Sequence, residues 1–142
     1  MDAFDLDRFV VAQDEGGVYG QALRELRSGG KRSHWMWFVF PQLAGLGVSQ
    51  TSRFFGISSL DEAVAYLTHP VLGARLREAT AAVLASPHAD ADELLGPVDA
   101  AKLRSSMTLF AAADPDEGLF AAVLDRFFGG SPDPRTLELL GT

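Results

Sequence analysis

The sequence predicts an all-α fold, a single multihelical domain of seven to nine short helices over residues 1–142, and three observations predict it. Apolar residues recur three and four positions apart along most of the chain, the period of a helix with one buried face. Serine, aspartate and proline stand where such runs open and glycine where they close. No Asn-Gly or Asp-Gly dipeptide, the strongest short hairpin signal, occurs anywhere. A chain of 142 residues is long enough to bury roughly 70% of the surface it exposes when unfolded. It has no cysteine, so neither disulfides nor a thiolate-zinc site support the fold.

Asp5 is placed to cap a first helix in which Leu6, Phe9, Val10 and Gln13 share one face. Gly16-Gly17 breaks the chain, and Tyr19, Ala22, Leu23 and Leu26 form a second stripe ending at Gly29-Gly30, with Arg24 and Arg27 off it. Residues 34–40 read as one or two helical turns, with Ser33 as N-cap and Pro41 as stop. Ser49 caps a short helix through Phe54 and Phe55 to Gly56. Ser59-Leu60-Asp61-Glu62 has the form of a capping box, and Leu60, Val64 and Leu67 supply the apolar face that follows.

His69-Pro70 closes that helix and opens the next, whose stripe is Leu72, Leu76, Ala79 and Val83, stopped at Pro87. Residues 89–93 read as an exposed, mobile connection or a short acidic helix. Pro97 opens a helix with Leu103, Met107 and Phe110 facing the core. After the Asp114-Pro115-Asp116 turn, Phe120, Val123, Leu124, Phe127 and Phe128 make the most apolar face in the chain, ended by Gly129-Gly130. Asp133-Pro134 starts a last helix carrying Leu137 and Leu140.

The formal charge of −7 argues against broad attachment to nucleic acid or anionic membrane, both of which reward basic surfaces. No run approaches the ~20 apolar residues of a membrane span, and the acidic start Met1-Asp2-Ala3-Phe4-Asp5 has no basic flank or apolar core; a cytoplasmic location is the expectation. No metal motif and no cofactor loop occurs: Gly45-x-Gly47 lacks a preceding strand and a third glycine. Residues 90–93 lack the ligand spacing of a calcium loop.

One stretch concentrates the chemistry. Residues 31–42 hold both tryptophans, two phenylalanines, one of the three histidines and one of the two lysines. Aromatic side chains of that size dominate a core, yet polar His34 and Gln42 need internal partners or a ligand. In the functional reading Lys31 and the backbone at Ser33-His34 hold an anion. Trp35 or Trp37 then stacks a ring, Gln42 reads a polar edge, and His34 acts as acid or base if the domain is an enzyme. The other reading makes His34 a core histidine bonded to a backbone carbonyl.

Ten of the twelve basic residues are arginine, while the two lysines, 31 and 102, each sit in one of the two distinctive strings. A compact ammonium differs physically from a planar guanidinium, which points to a need for lysine at both places. Asp99, Lys102 and Ser106 share one face of the helix after Pro97, either as a Lys-Ser pair or as a salt bridge beside small serines that let helices approach. Gln13 and Tyr19 are further candidates for the same pocket. The partner these residues predict is a small anionic or nucleotide-like metabolite; the alternative is a protein interaction module whose acidic surface engages a partner.

Several strings resemble a known family: Arg8-Phe9 with Ala12-Gln13; Lys31 and Ser33-His34-Trp35-Met36-Trp37-Phe38 with Phe40-Pro41-Gln42; Gly45-Leu46-Gly47 and Ser49. So do Tyr66-Leu67 with His69-Pro70, Leu72-Gly73, and Asp99 with Lys102-Leu103 and Ser105-Ser106-Met107-Thr108-Leu109-Phe110. Together, over about residues 5–140, the chain resembles the bacterial domain of unknown function 1810 family. The resemblance implies an all-helical single domain and no established activity. The label calpastatin that some members carry names an inhibitor that acts as a disordered segment, whereas this chain is patterned to fold.

Overall fold

The computed structural model describes residues 4–141; Met1–Ala3, with the start of the acidic N-terminus, and Thr142 lie outside the described residues. Within it the chain folds as an all-α domain. The helices are α1 (Asp7–Asp14), α2 (Val18–Ser28), α3 (Met36–Val39), α4 (Gln50–Phe54), α5 (Leu60–Thr68), α6 (Leu72–Leu84), α7 (Ala91–Leu95), α8 (Pro97–Ala113), α9 (Gly118–Phe128) and α10 (Pro134–Leu140). Three of them, α3, α4 and α7, are single turns. Residues Leu43 and Ile57 pair in an isolated parallel bridge that ties the segment after α3 to the segment after α4.

The longest helix, α8, is the axis. It opens with Pro97 in the first turn, where a missing N–H costs nothing. It packs against α3, α5, α7, α9 and α10. Leu103, Met107, Leu109 and Phe110 on it are buried, as are Leu72, Leu76, Ala79 and Val83 of α6 and Phe120, Val123 and Leu124 of α9. A chain of rings crosses the core from α1 to α9: Phe9 to Tyr66, Tyr66 to Phe110 and Phe110 to Phe120, with centroids 5.1, 5.4 and 5.8 Å apart. Each lies within the range where tilted and edge contacts add to the area buried.

Where expectation and structure part, a competing polar group is the reason. Asp5 does not cap α1. Its backbone is left-handed, with φ of 53°, Leu6 stands at the cap position without a side-chain bond, and the Arg8 guanidinium collects the loose carbonyls of Phe4 and Asp5. The Ser59 hydroxyl does accept from the Glu62 N–H, but the Glu62 carboxylate accepts from the Ser58 N–H and hydroxyl rather than from Ser59. It also forms a buried ion pair with Arg8 at 2.8 Å. Drawing Glu62 inward turns α5, so Ala63, Tyr66 and Leu67 face the core while Leu60 and Val64 are exposed. Of the two readings of residues 89–93, the short acidic helix is the one that forms: α7 is capped by Asp90 and docks on α8 through Leu94 and Leu95, so the segment is not a free loop.

Caps at Ser49 and Asp133 form as the sequence predicts. His69 joins α5 to α6 by accepting the Val71 and Leu72 N–H groups on Nδ1. Gly73 lets those helices meet: a Cβ there would lie 2.1 Å from the Leu67 carbonyl oxygen, closer than any side chain tolerates.

Candidate functional site

Glu25 makes the site possible. Position 25 lies beside Ala22 and Leu26 on the buried face of α2, and Glu25 is 3% exposed. After α2 ends at left-handed Gly29, the chain wraps over this carboxylate. Oε1 accepts from the Arg32 N–H at 2.7 Å, the Ser33 N–H at 3.0 Å and the Trp35 indole at 2.9 Å. Oε2 accepts from the Ser33 hydroxyl at 2.6 Å and the Gln21 amide at 2.9 Å. Burial pushes the Glu25 pKa up, but the hydrogen bonds from Ser33, Arg32, Trp35 and Gln21 outweigh it and hold the carboxyl well below its usual range.

This overturns one expectation. Ser33 does not cap α3; Trp35 stands at that position without a side-chain bond, because the Ser33 hydroxyl is committed to Glu25.

The far end of the loop is tied as well. Lys31 N–H donates to the Leu94 carbonyl at 2.9 Å, and His88 bridges Gly29 and α7. Its Nε2 meets the Gly29 carbonyl and its Nδ1 lies 3.1 Å from the Glu93 carboxylate. Both partners only accept, so the imidazolium is the form that satisfies both. Those contacts, the Gly29 carbonyl first and Glu93 second, raise the His88 pKa. The tether is therefore complete at low pH and lost as pH rises through that raised value. His88, in the loop after Pro87, is thus a clasp between Gly29 and α7.

With the loop so fixed, the chain's two lysines converge on one carboxylate. Lys31 Nζ lies 2.7 Å from Asp99 Oδ2 and Lys102 Nζ 3.1 Å from Asp99 Oδ1. Each ammonium also faces an indole: Lys31 is 5.3 Å from the Trp35 ring centroid and Lys102 4.3 Å from that of Trp37. The Lys31 side chain is 9% exposed. Burial raises the Asp99 pKa, but the bonds from Lys31 and then Lys102 outweigh it and lower it overall. These groups, with His34, Met36, Phe38 and Thr51, line a cleft of about 140 Å³.

Of the residues singled out in the sequence, Lys31, His34, Trp35, Trp37 and Lys102 meet in this cleft. His34 is exposed, not a core histidine, and its side chain makes no hydrogen bond among the described residues. Trp35 is buried to 1% exposure, while Trp37 is half-buried with the Lys102 ammonium over one face. Gln13 is a strut behind the aromatic stretch: its amide donates to the Phe38 carbonyl at 2.7 Å and to Tyr66, and accepts from Arg75. Tyr19 meets Arg75 and Glu78 on the face between α2 and α6; burial first, and the bond to Glu78 second, raise its pKa. Gln42 and Ser106 are buried and do not line the cleft, and neither Gln42 Nε2 nor Ser106 Oγ has a hydrogen-bond partner among the described residues. No bond joins Lys102 to Ser106; the salt-bridge alternative, to Asp99, is the one that forms.

Sequence reasoning passes over Glu25 and Thr51. For Glu25 a signal existed, a lone carboxylate at the spacing of the buried face of α2. For Thr51 there was none.

The chain is similar over 99% of its length to the conserved hypothetical protein Rv1873 from Mycobacterium tuberculosis, whose solved structure shares 52% identity and a TM-score of 0.95, with 99% of that chain covered. No curated protein matches it. The family model described as Protein of unknown function (DUF1810) matches residues 3–140. The chain belongs to the DUF1810 family.

Proposed function

We propose that this protein binds a small anionic metabolite in the cleft between the 31–38 segment and α8. The observation that carries the reading is the convergence of the chain's only two lysines on Asp99 in a cleft shared with His34. Two ammonium groups against one carboxylate leave a positive seat on a protein of formal charge −7. Desolvating two lysines is costly unless an anion answers them. A volume of about 140 Å³ is smaller than the roughly 300 Å³ at which drug-sized sites begin. The seat therefore suits an oxyanion head group, and a nucleotide-like ligand places its phosphate here with the nucleoside outside. In an enzyme built on this site, His34 is the acid or base.

The test is a thermal-shift screen of wild type and His34→Ala against nucleotides, ADP-ribose, NAD and other phosphorylated metabolites. A ligand at 100 times its dissociation constant stabilises the fold by about 2.7 kcal/mol. A shift in wild type that shrinks in a variant of unchanged ligand-free Tm is the expected result. Because His34 is exposed and unbonded, an unstable variant would mark it as structural, and no shift with any of these ligands would retire the reading.

A second reading, a protein interaction module, is favoured by one groove between α1 and α4. There Val11 and Phe54 are 56% and 57% exposed beside Phe55, rimmed by Asp5, Asp7 and Glu15. An acidic rim around exposed apolar side chains suits a basic, apolar segment of a partner.

A further inference from the structure

The charges around the cleft narrow the ligand further, on the premise that the cleft is an anion seat. Lys31 and Lys102 bring two positive charges and Asp99 returns one negative. Lys31, Lys102, Asp99 and His34 are the titratable residues that line the cleft; His88, which titrates at the base of the same loop, is turned away against Gly29 and Glu93 and is present unchanged in His34→Gln. Glu25 lies beneath the loop with both oxygens engaged by Gln21, Arg32, Ser33 and Trp35. Arg32 is exposed, and Arg53 of α4 lines a separate groove with Arg8 and Phe54.

A monoanion set against the two ammoniums balances the seat. A tetrahedral dianion does not: beside Asp99 it makes three negative charges against two positive in a half-enclosed site, and like charges held close force a proton onto some group. The lining supplies one that is open to it. His34 faces the cleft, reaches solvent and has no hydrogen bond to lose; protonated, it offers two N–H donors and the third positive charge. Thr51, which also lines the cleft, carries a neutral hydroxyl donor.

We infer that the cleft takes a dianionic tetrahedral oxyanion, a phosphate or sulfate either free or as the head group of a larger molecule, and that His34 takes up one proton as it binds. Affinity then rises as pH falls from about 8 to about 6, because the complex holds one more proton than the free protein.

Sulfate is the discriminating probe, since it stays dianionic across that range and any pH dependence comes from the protein. Calorimetric titration at constant ionic strength is expected to give about tenfold tighter binding near pH 6 than near pH 8, and less than about twofold change in His34→Gln. Heats measured in buffers of different ionisation enthalpy should report uptake of about one proton by wild type near pH 7 and none by the variant. Inorganic phosphate and ribose 5-phosphate, run beside sulfate, separate the free ion from a head group, and preference for either is consistent with the inference. Saturable sulfate binding that is flat with pH in wild type, or a pH dependence that persists in His34→Gln, overturns the proton uptake while leaving the anion seat. No saturable binding at either pH overturns both.

Discussion

Glu25→Ala is expected to lower the stability of the domain by about 4 kcal/mol, and Glu25→Gln by about 2 kcal/mol, measured by urea denaturation at neutral pH. The carboxylate answers five donors from a position 3% exposed. Alanine leaves the Ser33 backbone and Trp35 indole without acceptors beneath the loop, whereas glutamine keeps one oxygen for the three donors on Oε1 and gives up the charge. The gap between wild type and Glu25→Gln should narrow in acid. A carboxyl with a depressed folded pKa contributes stability that is present above its unfolded value, near pH 4.3, and fades as pH falls toward the folded one. A gap that is constant from pH 7 to about pH 3 would contradict this assignment.

Asp99→Ala is expected to cost about 2 kcal/mol in chloride buffer, less than a fully buried pair because Asp99 and Lys102 retain some solvent. The loss should be repaired by an added oxyanion. With Asp99 gone, two ammoniums face one another across a vacant seat, and sulfate at about ten times its dissociation constant returns about 1.4 kcal/mol. The same sulfate should stabilise wild type less, where Asp99 already occupies part of the seat. Equal stabilisation of the two proteins would mean that the anion acts on the surface at large.

Most of the fold is legible in the sequence because it rests on periodic burial. The apolar stripes of α6, α8 and α9 pack as their spacing implies, and the polar residues buried among them, Thr80, Ser105, Ser106 and Thr108, do not shift the helices off that face. The errors fall where a polar side chain prefers a distant partner to a local one. Ser33 leaves its cap for Glu25, and Glu62 leaves Ser59 for Ser58 and Arg8. The same limit governs the site. Lys31 and His34 are read together because they are neighbours, and Asp99 with Lys102 because they are three apart on a helix. That both lysines share Asp99 is a tertiary fact, set by Glu25 beneath the loop and by the docking of α3 and α7 on α8. Gln13 and Tyr19 show the converse: polar residues on apolar stripes that serve as struts between helices, outside the lining of this cleft.

Calorimetric titration of sulfate, at about pH 6, into wild type and Lys102→Met tests the anion seat most directly. Methionine keeps an unbranched chain over Trp37 and removes only the ammonium. Saturable binding by wild type, weakened about tenfold or more in a variant of near-native Tm, is the predicted result, since a hydrogen bond to a charged group is worth about 1.5–3 kcal/mol. Equal affinity in the two proteins, or no binding to wild type, would contradict it.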